Sequence, residues 1–188
     1  MGKLKKNQEL LQIMDDYVSF MDSKKKGSMP IVISEAKINH PSSLCAKIPI
    51  DSETSFGNVF IDLELRNKDS NNYSIQLVSD KIEKKILSRL DEGNGTHRNN
   101  LPSIPLQEQE VTTPHFHKYN SEGYFLAYRT EGLKSFGSHP MSINQGILEF
   151  CSEMNIHSCN GNHVDVIVRE DGVLPLEFNI DPLDGINF

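Results

Sequence analysis

The sequence has no tryptophan, three cysteines and no apolar run long enough to cross a bilayer, and each shortage removes a class of protein. A membrane-spanning helix needs about 20 consecutive apolar residues, so no membrane insertion is expected. Cys45, Cys151 and Cys159 are odd in number and include no Cys-x-x-Cys pair. That excludes a disulfide framework and a thiolate zinc site, and the reducing cytosol is the expected compartment. The start, Met1-Gly2-Lys3-Leu4-Lys5-Lys6, is followed by no apolar stretch of the signal-peptide kind. Lys6 stands where a myristoylation site wants Ser or Thr. Positive charge is also short: 19 Lys and Arg against 26 Asp and Glu give a net charge of −7. Broad electrostatic binding of nucleic acid needs many phosphate-neutralising cations, so only a compact site holding a few nucleotides is compatible with that balance. An acidic face can also meet a basic partner, but a charge of −7 is modest for that.

What is present is enough for one folded unit. A chain of 188 residues with 37% hydrophobic residues reads as a single domain. It divides into an N-terminal helix within 1–26, a sheet-and-helix core over 30–170 and an extended tail over 171–188. Leu10, Leu11, Met14, Tyr17, Val18 and Met21 recur at helical spacing, which predicts an amphipathic helix over 7–23, ended by Lys24, Lys25, Lys26 and Gly27. Short apolar runs at 30–34 and 43–50 read as strands around the turn Asn39-His40-Pro41-Ser42. Val59, Ile61, Leu63 and Leu65 alternate with Asp62, Glu64 and Arg66, which predicts a strand with one wet face. Tyr73, Ile75 and Leu77 continue it as a hairpin. Further strands are expected at 84–91, 114–119 and 123–129, and a last one through Val164, Val166 and Val168. Irregular loops are expected at 99–113 and 133–140. A helix is expected over 141–154, with Ile143, Ile147, Leu148 and Cys151 on one face and Phe150 beside it. The predicted fold class is α+β, an antiparallel sheet of about six strands with an N-terminal and a C-terminal helix packed on it.

The residues that point to chemistry lie between Arg89 and Tyr119. Side chains two apart on a strand share a face, so His115, His117 and Tyr119 project together and Phe116 projects away. Arg89 and Asp91 share a face of the preceding strand, and the Gly93–Gly95 turn can return His97 to it. Two chemistries use this set. His97, His115 and His117, with Asp91 as a further ligand, suit a divalent metal. Without metal, one histidine serves as general base and another as general acid, Arg89 binds a phosphate and Tyr119 orients it. The bland alternative is that these histidines cap turns. His40 and His139 precede prolines and read as turn residues. His157 and His163 flank a Ser-Cys-Asn-Gly-Asn loop whose spacing, even with Cys159, matches no metal motif. Asp181 and Asp184 in the tail are distant candidates.

The order Arg89-Leu90-Asp91, a Gly-rich turn with His97-Arg98-Asn99, Pro114-His115-Phe116-His117-Lys118-Tyr119, then Ala127-Tyr128, resembles a family of uncharacterised prokaryotic and phage domains. The resemblance covers 84–156, with Phe150-Cys151 and Ile156 matching its last feature loosely. It departs at Asn99-Asn100-Leu101-Pro102, where the family has Asn-Pro-Asp-Gly after the turn histidine, and at Leu126-Ala127, where it has Trp-Ala. The resemblance implies a setting among mobile-element and conflict genes and no particular activity. Two functions are therefore carried forward. One is a small His-centred, nuclease-like enzyme of phage–bacterium conflict, acting on a phosphodiester, RNA above all. The other is a non-catalytic anti-defence or antitoxin-like protein that binds and inhibits a defence or toxin protein. The acidic balance and the N-terminal helix suit the second.

Overall fold

The computed structural model describes residues 4–169 except 38, 94, 102, 103 and 138, so the tail with Asp181 and Asp184 lies outside the described residues. Helices α1 (Gln8–Gln12) and α2 (Met14–Asp22) come first. Strands β1 (Lys25–Gly27), β2 (Ile31–Ile33), β3 (Glu35–Lys37), β4 (His40–Ser52), β5 (Val59–Leu65), β6 (Tyr73–Ser79) and β7 (Ile86–Asp91) follow. Next are β8 (His97–Arg98), β9 (Glu110–Val111), β10 (His115–Tyr119) and β11 (Phe125–Tyr128). Helices α3 (Glu131–Ser135) and α4 (Ile143–Glu153) precede β12 (Ile156–Ser158) and β13 (Val166–Val168). Among the described residues, no helix is long and apolar enough to cross a membrane.

The α+β class holds, and the sheet is larger than six antiparallel strands. Its order is β11-β10-β7-β6-β5-β4-β1-β12, with β3 pairing beside β4 as a ninth strand. The six strands from β11 to β4 are antiparallel throughout. The additions lie at the other edge, where β12 runs parallel to β1. A second parallel pair, β13 with β2, forms a small separate sheet. Strands β2 and β13 fall in segments expected as strands, whereas β1 and β12, three residues each, are too short to display period-2 alternation. The Lys24-Lys25-Lys26-Gly27 run, read as a helix stop, is itself mostly strand β1.

Alternation sorts the sheet into two faces. Val59, Ile61, Leu63 and Leu65 are buried and Asp62 is exposed, with Glu64 half-buried, so the expected register is correct. Their cross-strand partners Leu77, Ile75 and Tyr73 continue the apolar face, and Leu90 and Phe116 extend it to β7 and β10. Helix α4 covers this face, with the Phe150 ring stacked 6.3 Å from Phe116. Ser142 and Gln145 close a capping box at its start, satisfying N–H groups that have no partner inside the helix.

The helices depart from expectation in their inward faces. The N-terminal helix breaks at Ile13 into α1 and α2, and its buried residues are Leu10, Tyr17 and Phe20. Val18 is exposed, because the stripe after the break runs through 17 and 20. In α4, Leu148 faces out and Phe150 faces in. Helix α3 runs into the start of the segment read as a loop, and Thr130 caps it by accepting from Leu133 N–H at 3.2 Å. Lys25 is fully buried, and its Nζ donates to Met21 and Ser23 carbonyls at 2.9 Å and to the Met154 carbonyl at 3.0 Å. One ammonium thus satisfies the C-terminal carbonyls of both α2 and α4, which favour positive charge. Burial lowers that ammonium to about 8, with Asp22 acting against it.

Helix α4 reaches the sheet at Gly146. A Cβ there would meet the Tyr73 hydroxyl at 2.1 Å, and Tyr73 is itself fully buried and donates to the Ser142 carbonyl at 3.3 Å. Alanine is the better helix former by about 1 kcal/mol. Gly146→Ala is nevertheless expected to destabilise by about 1–3 kcal/mol through overpacking, measured as a lower urea midpoint with unchanged slope.

Candidate metal centre

The site is assembled by β10 lying between β7 and β11. Register sets His115 opposite Asp91 and His117 opposite Arg89, with Ala127 on the other side of His117. Strand period then sends these four charged or imidazole side chains to the face away from α4. That face is exposed at Asp62 and half-buried at Glu64 and Gln76, yet His115 is only 3% and His117 only 1% exposed. The cover is the chain between β7 and β10. It turns back at Gly93, whose φ of +83° and 2.9 Å clearance to Asn72 favour a residue without a side chain. Past that turn, β8 pairs with β9 and lays His97 over the other two rings.

Ring centroids are 4.7 Å apart for His97 and His117, 4.8 Å for His115 and His117, and 5.8 Å for His97 and His115. One nitrogen from each ring lies within 4.8 Å of the other two, a group able to hold a metal ion. A triangle of that side has its centre at most about 2.8 Å from each corner, against about 2.0–2.1 Å for a zinc–imidazole bond. Closing the difference takes side-chain rotation of less than 1 Å per ring, on the order of a small χ adjustment. His115 Nδ1 and His117 Nδ1 are buried without a hydrogen-bond partner. Buried polar atoms are nearly always paired, so two such nitrogens in one cluster are unusual.

Arg89 and Asp91 border the cluster as their strand face requires. Arg89 Nε lies 2.6 Å from Asp91 Oδ2, close but not aligned as a hydrogen bond. Arg66 Nη2 approaches the other carboxylate oxygen at 3.6 Å. Arg89 Nη2 is 3.2 Å and Asp91 Oδ2 3.5 Å from His117 Nε2. These two contacts favour opposite tautomers. Arginine only donates, so its bond to Nε2 sends the imidazole proton to Nδ1; a bond from Nε2–H to Asp91 leaves the Nδ1 lone pair open. The second tautomer is the one a metal-ligating histidine backed by a carboxylate adopts.

Tyr119 does not join the cluster. It shares the strand face, but its hydroxyl accepts from Asn7 Nδ2 at 3.3 Å and its ring packs 5.9 Å from Tyr17. The reason is the N-terminal helix pair, which closes over that end of β10 and draws Tyr119 into the core. Phe125 contacts both, stacking on His117 at 5.3 Å and lying tilted against Tyr119 at 4.8 Å. Phe125 and Arg66 were missed in the sequence. Phe125 had a signal, since it stands opposite Tyr119 across a tight hairpin; Arg66 is distant in the chain and gave none. Of the other histidines, His157 is exposed and its ring contacts Asn155 Oδ1 at 3.0 Å. Cys159 Sγ is 3.5 Å from Ser28 Oγ.

No known protein family, curated protein or solved structure matches the chain. The resemblance to the prokaryotic and phage domains therefore rests on the quoted residues.

Burial pushes the His115 imidazole down to about 4 and His117 to about 2, and it lowers His97 as well. The Arg89 charge adds to the effect at His117 and His97, while Asp91 opposes it at His115 and His97. The rings are thus neutral at pH 7. Unfolded histidine titrates near 6.5, so below that pH the unfolded chain binds protons that the native site refuses. Stability is therefore expected to be full above about pH 6.5 and to fall as pH drops from there towards 4 and below. Each of His115 and His117 steepens the loss by up to about 1.4 kcal/mol per pH unit. Urea midpoints between pH 7 and 5 should fall for the native protein and fall less steeply for His115→Gln or His117→Gln.

Proposed function

We propose that the protein is a small metal-dependent enzyme acting on a phosphodiester, RNA above all, with His97, His115 and His117 as ligands to a divalent transition metal. The observation that carries this reading is the meeting of three neutral imidazoles, two of them with a buried, unpartnered nitrogen. A neutral imidazole ligates without first losing a proton, so the burial that unsuits these rings as general acids at neutral pH suits them as ligands. Three protein nitrogens, the number gathered here, are the ligand count of catalytic zinc, whereas structural zinc is closed by four. Imidazole donors favour zinc and its neighbours over magnesium or calcium. A metal held there supplies Lewis-acid polarisation and a more acidic water. Asp91 orients His117 and Arg89, and Arg89, part-exposed at the rim, presents a planar donor fork that matches a phosphate. The resemblance described above supports a role in phage–bacterium conflict.

One observation favours the second reading, a non-catalytic inhibitor of a defence or toxin protein. Across the face away from α4, Lys47, Asp62, Gln76, Arg89 and His117 stand in one cross-strand row, and Glu64, Ser74, Asp91 and His115 in the next. Mixed charge of this kind offers no continuous track for a polyanion. In that case the cluster holds an ion for structure alone.

The test is metal analysis of protein purified without chelator, together with incubation against a mixed RNA pool and a chromogenic phosphodiester. Expected are one equivalent of zinc-like metal and cleavage that chelation abolishes and metal restores. His117→Ala should lose both while its Tm stays within a few degrees of metal-stripped wild type. Metal without cleavage supports the inhibitor; neither metal nor cleavage contradicts the proposal.

A further inference from the structure

Strand β8 carries His97, is two residues long and pairs only with β9. Among the described residues, β8 and β9 form a sheet of their own with no ladder to the larger one. His115 and His117, by contrast, sit on a strand hydrogen-bonded on both sides. The third imidazole therefore needs a separate device to hold it in place.

Asn99, two residues after His97, supplies one. Its Oδ1 accepts from the Ala127 N–H at 2.7 Å, and its Nδ2 donates to the Ala127 carbonyl at 2.8 Å. One side-chain amide thus reproduces the two-bond exchange of an antiparallel ladder pair. Its partner is the residue beside His117 in the β10–β11 register. The loop is stiffened behind it by Gln109, a buried side chain. Gln109 Oε1 accepts from Leu101 N–H at 2.8 Å, and Nε2 donates to the Leu101 and Ile104 carbonyls at 2.8 and 2.5 Å. The Asn99 N–H donates to the Gln109 carbonyl at 3.1 Å. A second tether, Arg129 Nη1 to Thr112 Oγ1 at 2.8 Å, holds the far end of the loop and not the residues next to His97.

We infer that Asn99 is the positioning residue of the metal centre: by clamping Ala127 it fixes β8 to the sheet edge and holds His97 against His115 and His117. This rests on the metal reading above. Only a primary amide of this length offers the required acceptor and donor together. Aspartate keeps the acceptor for Ala127 N–H and sets a charge against the Ala127 carbonyl; alanine removes both bonds.

Titration of the metal-stripped full-length protein with cobalt(II), followed by its visible absorption, tests the inference. Asn99→Ala and Asn99→Asp are each expected to weaken binding about 10- to 100-fold, as loss of a residue that orients a ligand does, with the far-ultraviolet spectrum unchanged. In a His97→Ala background, Asn99→Ala should cause no further loss, because the clamp then has no ligand to hold. Binding by Asn99→Ala within about twofold of wild type, or an equal loss in both backgrounds, overturns the inference. Should wild type bind no cobalt, the metal reading fails, and NMR of the metal-free protein decides the clamp alone. Loss of the His97–His117 ring contact and faster exchange of the Ala127 amide in Asn99→Ala uphold it. Retention of both overturns it.

Discussion

The antiparallel pairing of β10 with β7 is the constraint on which the rest depends. It sets His115 against Asp91 and His117 against Arg89, and the same alternation sends Leu90 and Phe116 into the core. A shift of one residue would exchange the two faces, placing Arg89 and Asp91 beneath α4 and two leucine- and phenylalanine-sized groups in the site. The apolar face is therefore what makes the polar face accurate. Phe116 cannot leave its stack with Phe150 without moving His115 and His117 on either side of it.

On the polar face, desolvation dominates. Two imidazoles on a sheet surface would ordinarily keep water partners and titrate near neutrality. Here the returning loop covers them, removes the water and leaves two ring nitrogens unsatisfied. An unpaired buried nitrogen costs about 1–3 kcal/mol, so the arrangement is unfavourable for the empty fold and favourable for one that gains a ligand. Asp91 takes a middle position. Two arginines draw on its oxygens while it stands within reach of His117. It thus competes with His117 for the Arg89 guanidinium, which lies within reach of both.

Much of this was legible in the sequence wherever a period repeats. The alternation at Val59, Ile61, Leu63 and Leu65 fixed face and register, and His115-Phe116-His117 predicted two imidazoles on one side. The Gly93–Gly95 turn correctly implied the return of His97. What escaped had too few residues to show a period, or depended on partners far along the chain. Strands β1, β3 and β12 are three residues each. Tyr119 obeyed the alternation but answered to Asn7 and Tyr17, more than 100 positions away. Val18 lay on the expected stripe, but the buried line runs through Leu10, Tyr17 and Phe20 and leaves it outside. Asn99 entered only as part of a quoted turn, with no role assigned, because its role lies in the backbone of Ala127.

The central claim is that the three imidazoles are ligands of a single ion. Anomalous diffraction at the zinc edge, from crystals of the full chain grown with zinc, measures that directly. The account predicts one strong peak bounded by His97, His115 and His117, with three nitrogens at about 2.0–2.1 Å and no arginine or tyrosine in the coordination sphere. A fully ordered cluster with no peak, or zinc found only elsewhere on the molecule, such as beside His157 and Cys159, would contradict it.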